Sequence, residues 1–138
     1  MKIENIKFRG KSKRTGEWLY GDLEYNRKKD VARIHSYDDE GEYIGQQEVH
    51  KETIGQFIRM TDKNENEIYE GDIIKTDEGL DISGYYEVSY DNGTTGFVCI
   101  GKNAHCPLGV IEELFDIVVV GNIYDNKELL TQEYERID

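Results

Sequence analysis

The sequence predicts an all-β protein, and three observations carry that expectation. Apolar and polar residues alternate with period two in short runs. Clusters of Gly, Asn and Asp bound those runs and supply turn chemistry. Ten tyrosines and 14 glycines accompany a single proline in 138 residues, a composition suited to strands joined by tight turns.

The elements follow in chain order. Ile6, Lys7, Phe8 and Arg9 alternate, as do Trp18, Leu19 and Tyr20 on the way to Leu23 and Tyr25, with Arg14, Thr15 and Gly16 between them, so the first element is a hairpin. Residues 31–37 and 43–49 flank the acidic stretch Asp38, Asp39, Glu40 and Gly41, whose glycine supplies the positive φ of a hairpin loop. Residues 54–58 read as a strand, 61–67 as a turn, and Ile68 and Tyr69 as extended structure. Gly71 and Asp72 before Ile73 and Ile74 form a corner that bends the chain into a new strand. Residues 84–90 and 96–100 around Asp91, Asn92 and Gly93 read as a hairpin.

Residues 117–124 are apolar enough for a central strand. Residues 108–115 place Val110, Ile111 and Leu114 on one face of a helical turn. Asp125 with Glu128 ahead of Leu129 and Leu130 is a helix start signal, so a short C-terminal helix is expected. Five strands in roughly seventy residues match the spacing of an SH3-like β-barrel. The expected organisation is a small N-terminal β-hairpin region, residues 1–52, and an SH3-like barrel with its helix, residues 53–138.

Composition bounds the function. At 16.0 kDa with 37% hydrophobic and 33% charged residues, the chain has the composition of a soluble globular protein. The start lacks an apolar signal core, and no run approaches the ~20 apolar residues that span a bilayer. A cytoplasmic location with no membrane partner is therefore expected, with reduced cysteines. Net charge is −12, which opposes binding to nucleic acid or anionic lipid. Residues 1–36 hold ten Lys/Arg against five Asp/Glu, and residues 37–138 hold seven against 24, so the halves carry +5 and −17. That contrast suits a basic arm beside an acidic body, in one chain or across a homo-oligomer.

Candidate chemical sites were weighed against spacing rules. Asp62, Asn64 and Asn66 begin like a calcium loop, but the sixth position is Glu67 and the twelfth is Ile73, where glycine and a bidentate glutamate are needed. Asp and Asn turn chemistry explains them better. Cys99, His105 and Cys106 are soft ligands without the paired spacing of a zinc site or the geometry of a thiol dyad. Glu70 and Asp72 flank Gly71 as turn-capping carboxylates. Nucleotide-loop and nucleophile-elbow motifs are missing from the sequence. Arg9, Lys11, Lys13 and Arg14 with Phe8 and Trp18 form a basic and aromatic cluster of the kind that grips single strands. No catalytic residue, cofactor or metal is expected.

Four blocks in order then point to a family. Residues Phe8 to Lys11 read F-R-G-K, Trp18 to Asp22 read W-L-Y-G-D, the stretch 53–74 reads T-I-G-Q-F-I-R-M-T-D-K-N-E-N-E-I-Y-E-G-D-I-I, and 121–130 reads G-N-I-Y-D-N-K-E-L-L. In these blocks the chain resembles the YopX family of bacteriophage and prophage proteins, over nearly its whole length. Its signature falls on Gly55, Gln56, Asp62, Ile68, Tyr69, Glu70, Gly71, Asp72, Gly121, Asn122, Tyr124, Leu129 and Leu130, expected to be structural. Arg59 stands where the family commonly has glycine, implying that this turn is not left-handed here. Asn66 or a neighbour replaces a turn glycine.

The resemblance implies a β-rich fold, a phage or prophage origin and no activity to transfer. The expected function is a non-enzymatic accessory protein acting through protein contacts, with a host or phage protein or as a homo-oligomer. Two alternatives are an acidic mimic of DNA that inhibits a host nucleic-acid protein, and nucleic-acid binding through Arg9, Lys11, Lys13 and Arg14.

Overall fold

A strand whose side chains alternate buries one face and leaves the other in water. The structure, a computed structural model, describes residues 1–76, 84–101, 105–109 and 116–131. The chain divides into two compact units, Met1–Phe57 and Ile58–Asp138. The protein is all-β, as the sequence predicts, with antiparallel strands in both units.

The first unit contains β1 (Phe8–Lys11), β2 (Trp18–Asn26), β3 (Val31–Tyr37), β4 (Tyr43–Val49) and the start of β5 (Gly55–Thr61), in the order β4-β3-β2-β1-β5. Strand β3 is paired on both sides, to β2 and to β4. Its inward residues Ala32 and Ile34 are buried with Val49, and Phe8, Leu19, Leu23 and Ile54 pack against them. A bridge between Ser12 and Val49 brings the end of β4 onto the end of β1. There the His50 N–H donates to the Lys11 carbonyl at 2.9 Å.

Thr53 secures this junction. Its Oγ1 accepts the Lys11 N–H at 2.9 Å and donates to the His50 carbonyl at 2.6 Å. Gly21 sits at φ +153°, and a Cβ there would lie 1.9 Å from the His35 carbonyl oxygen. Only glycine lets β2 lie this close to β3.

The second unit holds the rest of β5, then β6 (Glu67–Tyr69), β7 (Asp72–Thr76), β8 (Tyr85–Asp91), β9 (Gly96–Ile100), β10 (His105–Pro107) and β11 (Ile117–Asn122). Strand order in its five-stranded sheet is β10-β9-β8-β7-β11. Ile58, Ile68, Ile74, Tyr86, Val88, Cys99, Leu108 and Ile117 make its core. Each large apolar side chain buried there contributes roughly 1.5–3 kcal/mol relative to exposure.

Several expectations need correction. The sheet is open, with β10 and β11 at its edges, so no closed SH3-like barrel forms among the described residues. Strand β10 has three residues, too few to register as periodicity. The C-terminal helix is a 3-10 turn, Lys127–Thr131. Asp125 Oδ2 accepts the Asn122 side-chain amide at 3.2 Å. Of the helical turn expected over 108–115, Leu108 and Gly109 are helical and the rest lies outside the described residues.

Arg59 has φ +71°, so the left-handed conformation persists although the glycine does not. Near it the left-handed residue of the 62–66 turn is Glu65, at φ +66°. In the β8–β9 connection the positive φ belongs to Thr95, and Asp91 Oδ2 caps the turn by accepting the Thr94 N–H and hydroxyl.

Asp62 explains how the β5–β6 turn is held. Its carboxylate is buried, 5% exposed, and accepts the backbone N–H groups of Asn64, Asn66 and Val119, each at 2.9 Å. Burial pushes this carboxyl up, but the donors of Val119, Asn66 and Asn64 outweigh it and hold it below its ordinary 3.8. A carboxyl depressed on folding stabilises the fold above its unfolded value and loses that contribution as pH falls through the folded one.

Asp62→Ala should therefore lower stability in urea unfolding by about 2–4 kcal/mol at neutral pH, since three backbone donors lose a buried, charged acceptor. The gap between wild type and variant should shrink on acidification below 3.8. Arg59→Gly should raise stability by about 1 kcal/mol in the same assay, because an L side chain is strained at this φ. A destabilising Arg59→Gly would show that its side chain contributes more than its backbone costs.

Candidate functional site

The signature residues hold turns and strands together. Gly55 pairs with Arg9 and Gln56 with Phe8, joining β5 to β1. Ile68 and Tyr69 are buried, and Asp72 Oδ2 accepts the Tyr69 N–H at 2.8 Å across the corner that contains Glu70. Gly71, at φ +90°, donates to the Val88 carbonyl and accepts the Ile123 N–H, both at 2.8 Å. Gly121 faces Ile73 and Asn122 faces Asp72 in the β11–β7 register, so the central and C-terminal blocks meet directly.

A Cβ on Gly121 would lie 2.5 Å from Asn126 Oδ1. Asn122 Oδ1 accepts the N–H groups of Tyr124 and Asp125, each at 2.9 Å. Leu129 and Leu130 are half-buried in the 3-10 turn, and Tyr124 is exposed. These residues position the chain; none of them defines a chemical site.

The basic cluster is largely built into the first unit. Arg9 is buried, its guanidinium 4.6 Å from the Trp18 ring centroid, and Lys11 lies over the same ring at 5.6 Å. Lys13 pairs with Glu48 at 2.8 Å. Arg14 is exposed and, with Leu19, Ser36, Ile44 and Gln47, lines an open hollow of ≈ 380 Å³. Cys99 is buried in β9, whereas His105 is exposed in β10 opposite Ile100. No group of three potential metal ligands occurs among the described residues.

A different constellation lies on the outer face of the first unit. Period two sends Asp22 and Glu24 of β2, and Arg33, His35 and Tyr37 of β3, away from the core. Register sets Asp22 opposite His35 and Tyr37 opposite Tyr43. The side chains form one chain of contacts. Glu24 Oε1 lies 2.7 Å from His35 Nε2, and His35 Nδ1 lies 3.0 Å from the Tyr43 hydroxyl. Tyr43 packs edge-on against Tyr37, ring centroids 5.5 Å apart.

Asp22 in turn raises the Tyr37 phenol above its ordinary 10.0, first through side-chain hydrogen bonding, with burial and the carboxylate charge adding to it. An ionised Glu24 only accepts, so His35 Nε2 carries a proton. The neutral ring then accepts from Tyr43 at Nδ1, and the imidazolium donates there instead. Such an arrangement can bind a cation against two electron-rich rings.

Neither Tyr43 nor His35 lines the neighbouring hollow, and both tyrosines stay about half exposed, at 45% and 52%. This constellation was missed in the sequence because its partners are 8 and 11 residues apart. The signal was present as His35 and Tyr37 at spacing two, with Tyr43 across the hairpin.

Arg9→Ala tests the role of the basic cluster. Removing a cation and its stem from beneath the single tryptophan should cost about 1–2 kcal/mol in unfolding followed by Trp18 fluorescence. A solvated binding loop would instead change stability by less than about 0.5 kcal/mol.

The family model described as YopX protein matches residues 7–131. A comparison with curated proteins gave no match.

Proposed function

The chain belongs to the YopX family, and we propose that it is a non-enzymatic accessory protein, encoded by a phage or prophage, that acts through contacts with another protein. The contact surface is the outer face of β2, β3 and β4. One observation carries this reading: Tyr20, Tyr37 and Tyr43 stand 48%, 45% and 52% exposed on that face, while the opposite face is spent on the core. Tyrosine is enriched in protein interfaces because it offers large contact area at little entropic cost, with a hydroxyl that keeps a polar partner.

The tyrosines are also held in place. The contact of Tyr43 with His35 and the packing of Tyr37 on Tyr43 limit rotamer freedom before any partner arrives, which lowers the entropy lost on binding. Among the described residues no helix is long and apolar enough to cross a membrane, and we place the protein in the host cytoplasm. Inhibition by DNA mimicry is a second reading, favoured by Asp38, Asp39, Glu40 and Glu42, all exposed in the turn beside the tyrosines. Nucleic-acid binding through the basic cluster has less support, since Arg9 is buried and Lys13 is paired.

Affinity capture from expressing cells compares wild type with a Tyr37→Ala, Tyr43→Ala variant. Wild type should retain a stoichiometric protein that the folded variant loses. Equal recovery by both would remove this face from the reading. Light scattering of the purified chain distinguishes a foreign partner from self-association, for which a multiple of 16.0 kDa is expected.

A further inference from the structure

We propose that the Tyr37 and Tyr43 pair, backed by Asp22 and Glu24, binds the guanidinium of an arginine presented by the partner protein. The inference rests on the contact surface described above and names its chemistry. Three observations support a cationic occupant. The two rings meet edge to face at 5.5 Å and both remain about half exposed, so aromatic faces are available for a planar cation to stack on.

The hydroxyls are set among polar groups: the Tyr43 hydroxyl lies 3.0 Å from His35, which Glu24 holds from behind, and Asp22 raises the Tyr37 phenol above its ordinary 10.0, first through side-chain hydrogen bonding. A phenol that donates to a carboxylate gains electron density in its ring, and cation attraction to that ring rises with it. The surrounding charge has one dominant sign. Asp22 and Glu24 lie on β2, and Asp38, Asp39, Glu40 and Glu42 occupy the turn that joins the two tyrosines. The cation on the outward side of β3 is Arg33, which the register sets between Glu24 and Glu48 and thus one pair away from the rings.

Arginine fits better than lysine. Its planar fork stacks on a ring while its N–H groups reach a neighbouring carboxylate. Of the four lone-pair sites on the Glu24 carboxylate, His35 uses one. The chemistry is recognition alone, with no covalent step.

The test is an NMR titration of the full chain with acetyl-Gly-Arg-Gly-amide and with its citrulline isostere, which keeps the shape and loses the charge. The arginine peptide should shift the ring signals of Tyr37, Tyr43 and His35 saturably, about tenfold more tightly than the citrulline peptide. A Tyr37→Leu, Tyr43→Leu variant keeps every carboxylate, and its affinity should fall about tenfold. Glu24→Gln should weaken binding by a smaller factor.

Equal binding of the two peptides, or undiminished binding by the double leucine variant, would overturn the proposal, the latter marking simple counter-ion attraction. If arginine recognition fails while the double alanine variant still loses its captured protein, the contact surface stands and the cation site does not. If both fail, this face is not a contact surface.

Discussion

The outer face of the first unit depends on how closely β2 approaches β3 at Gly21. A single methyl there would meet the His35 carbonyl oxygen at 1.9 Å, so any other residue forces the strands apart at the position that carries His35. The ladder from Asp22↔His35 to Asn26↔Val31 continues from this point. It fixes two things at once. Ala32 and Ile34 point into the core, and Arg33, His35 and Tyr37 point out. A one-residue slip would exchange the two sets, burying a histidine and a tyrosine and exposing the core.

The family signature falls into the same division between framework and surface. Thr53, Gly55 and Gln56 secure β1 and β5 in the first unit. Asp62, Gly71, Asp72, Gly121 and Asn122 tie turns to strands in the second, through buried carboxylates and close backbone approaches. Few of these side chains present themselves to solvent. Residues that satisfy backbone donors in this way are constrained by the fold itself, and the proposed contact surface lies apart from them, on the tyrosine face.

Much of this fold was legible in the sequence, for reasons that differ by element. The limits of β3 and β4 were readable because Val31 to Tyr37 and Tyr43 to Val49 flank an acidic glycine turn, and Gly41 takes the expected positive φ. The corner at Gly71 and Asp72 was readable from turn chemistry. What failed was either too short or not local. Strand β10 gains its structure from pairing, not from its own pattern. Strand count suggested a barrel, but closure depends on which edges meet, and sequence spacing does not encode that. At Arg59 the absence of glycine does not signal a changed backbone, because the surrounding strand keeps φ at +71°. The tyrosine face escaped notice because its contacts run across strands, between residues that register alone brings together.

If this tyrosine face is the surface through which the protein works, chemical footprinting of tyrosines should reveal it. Nitration of the purified chain, read residue by residue by mass spectrometry, is compared with nitration inside the cells that express it. Tyr20, Tyr37 and Tyr43 should react readily in the isolated protein, as their exposure requires, and Tyr37 and Tyr43 should be protected in the cell while exposed Tyr90 on the second unit is not. Equal reactivity of Tyr37 and Tyr43 in both settings would contradict the claim.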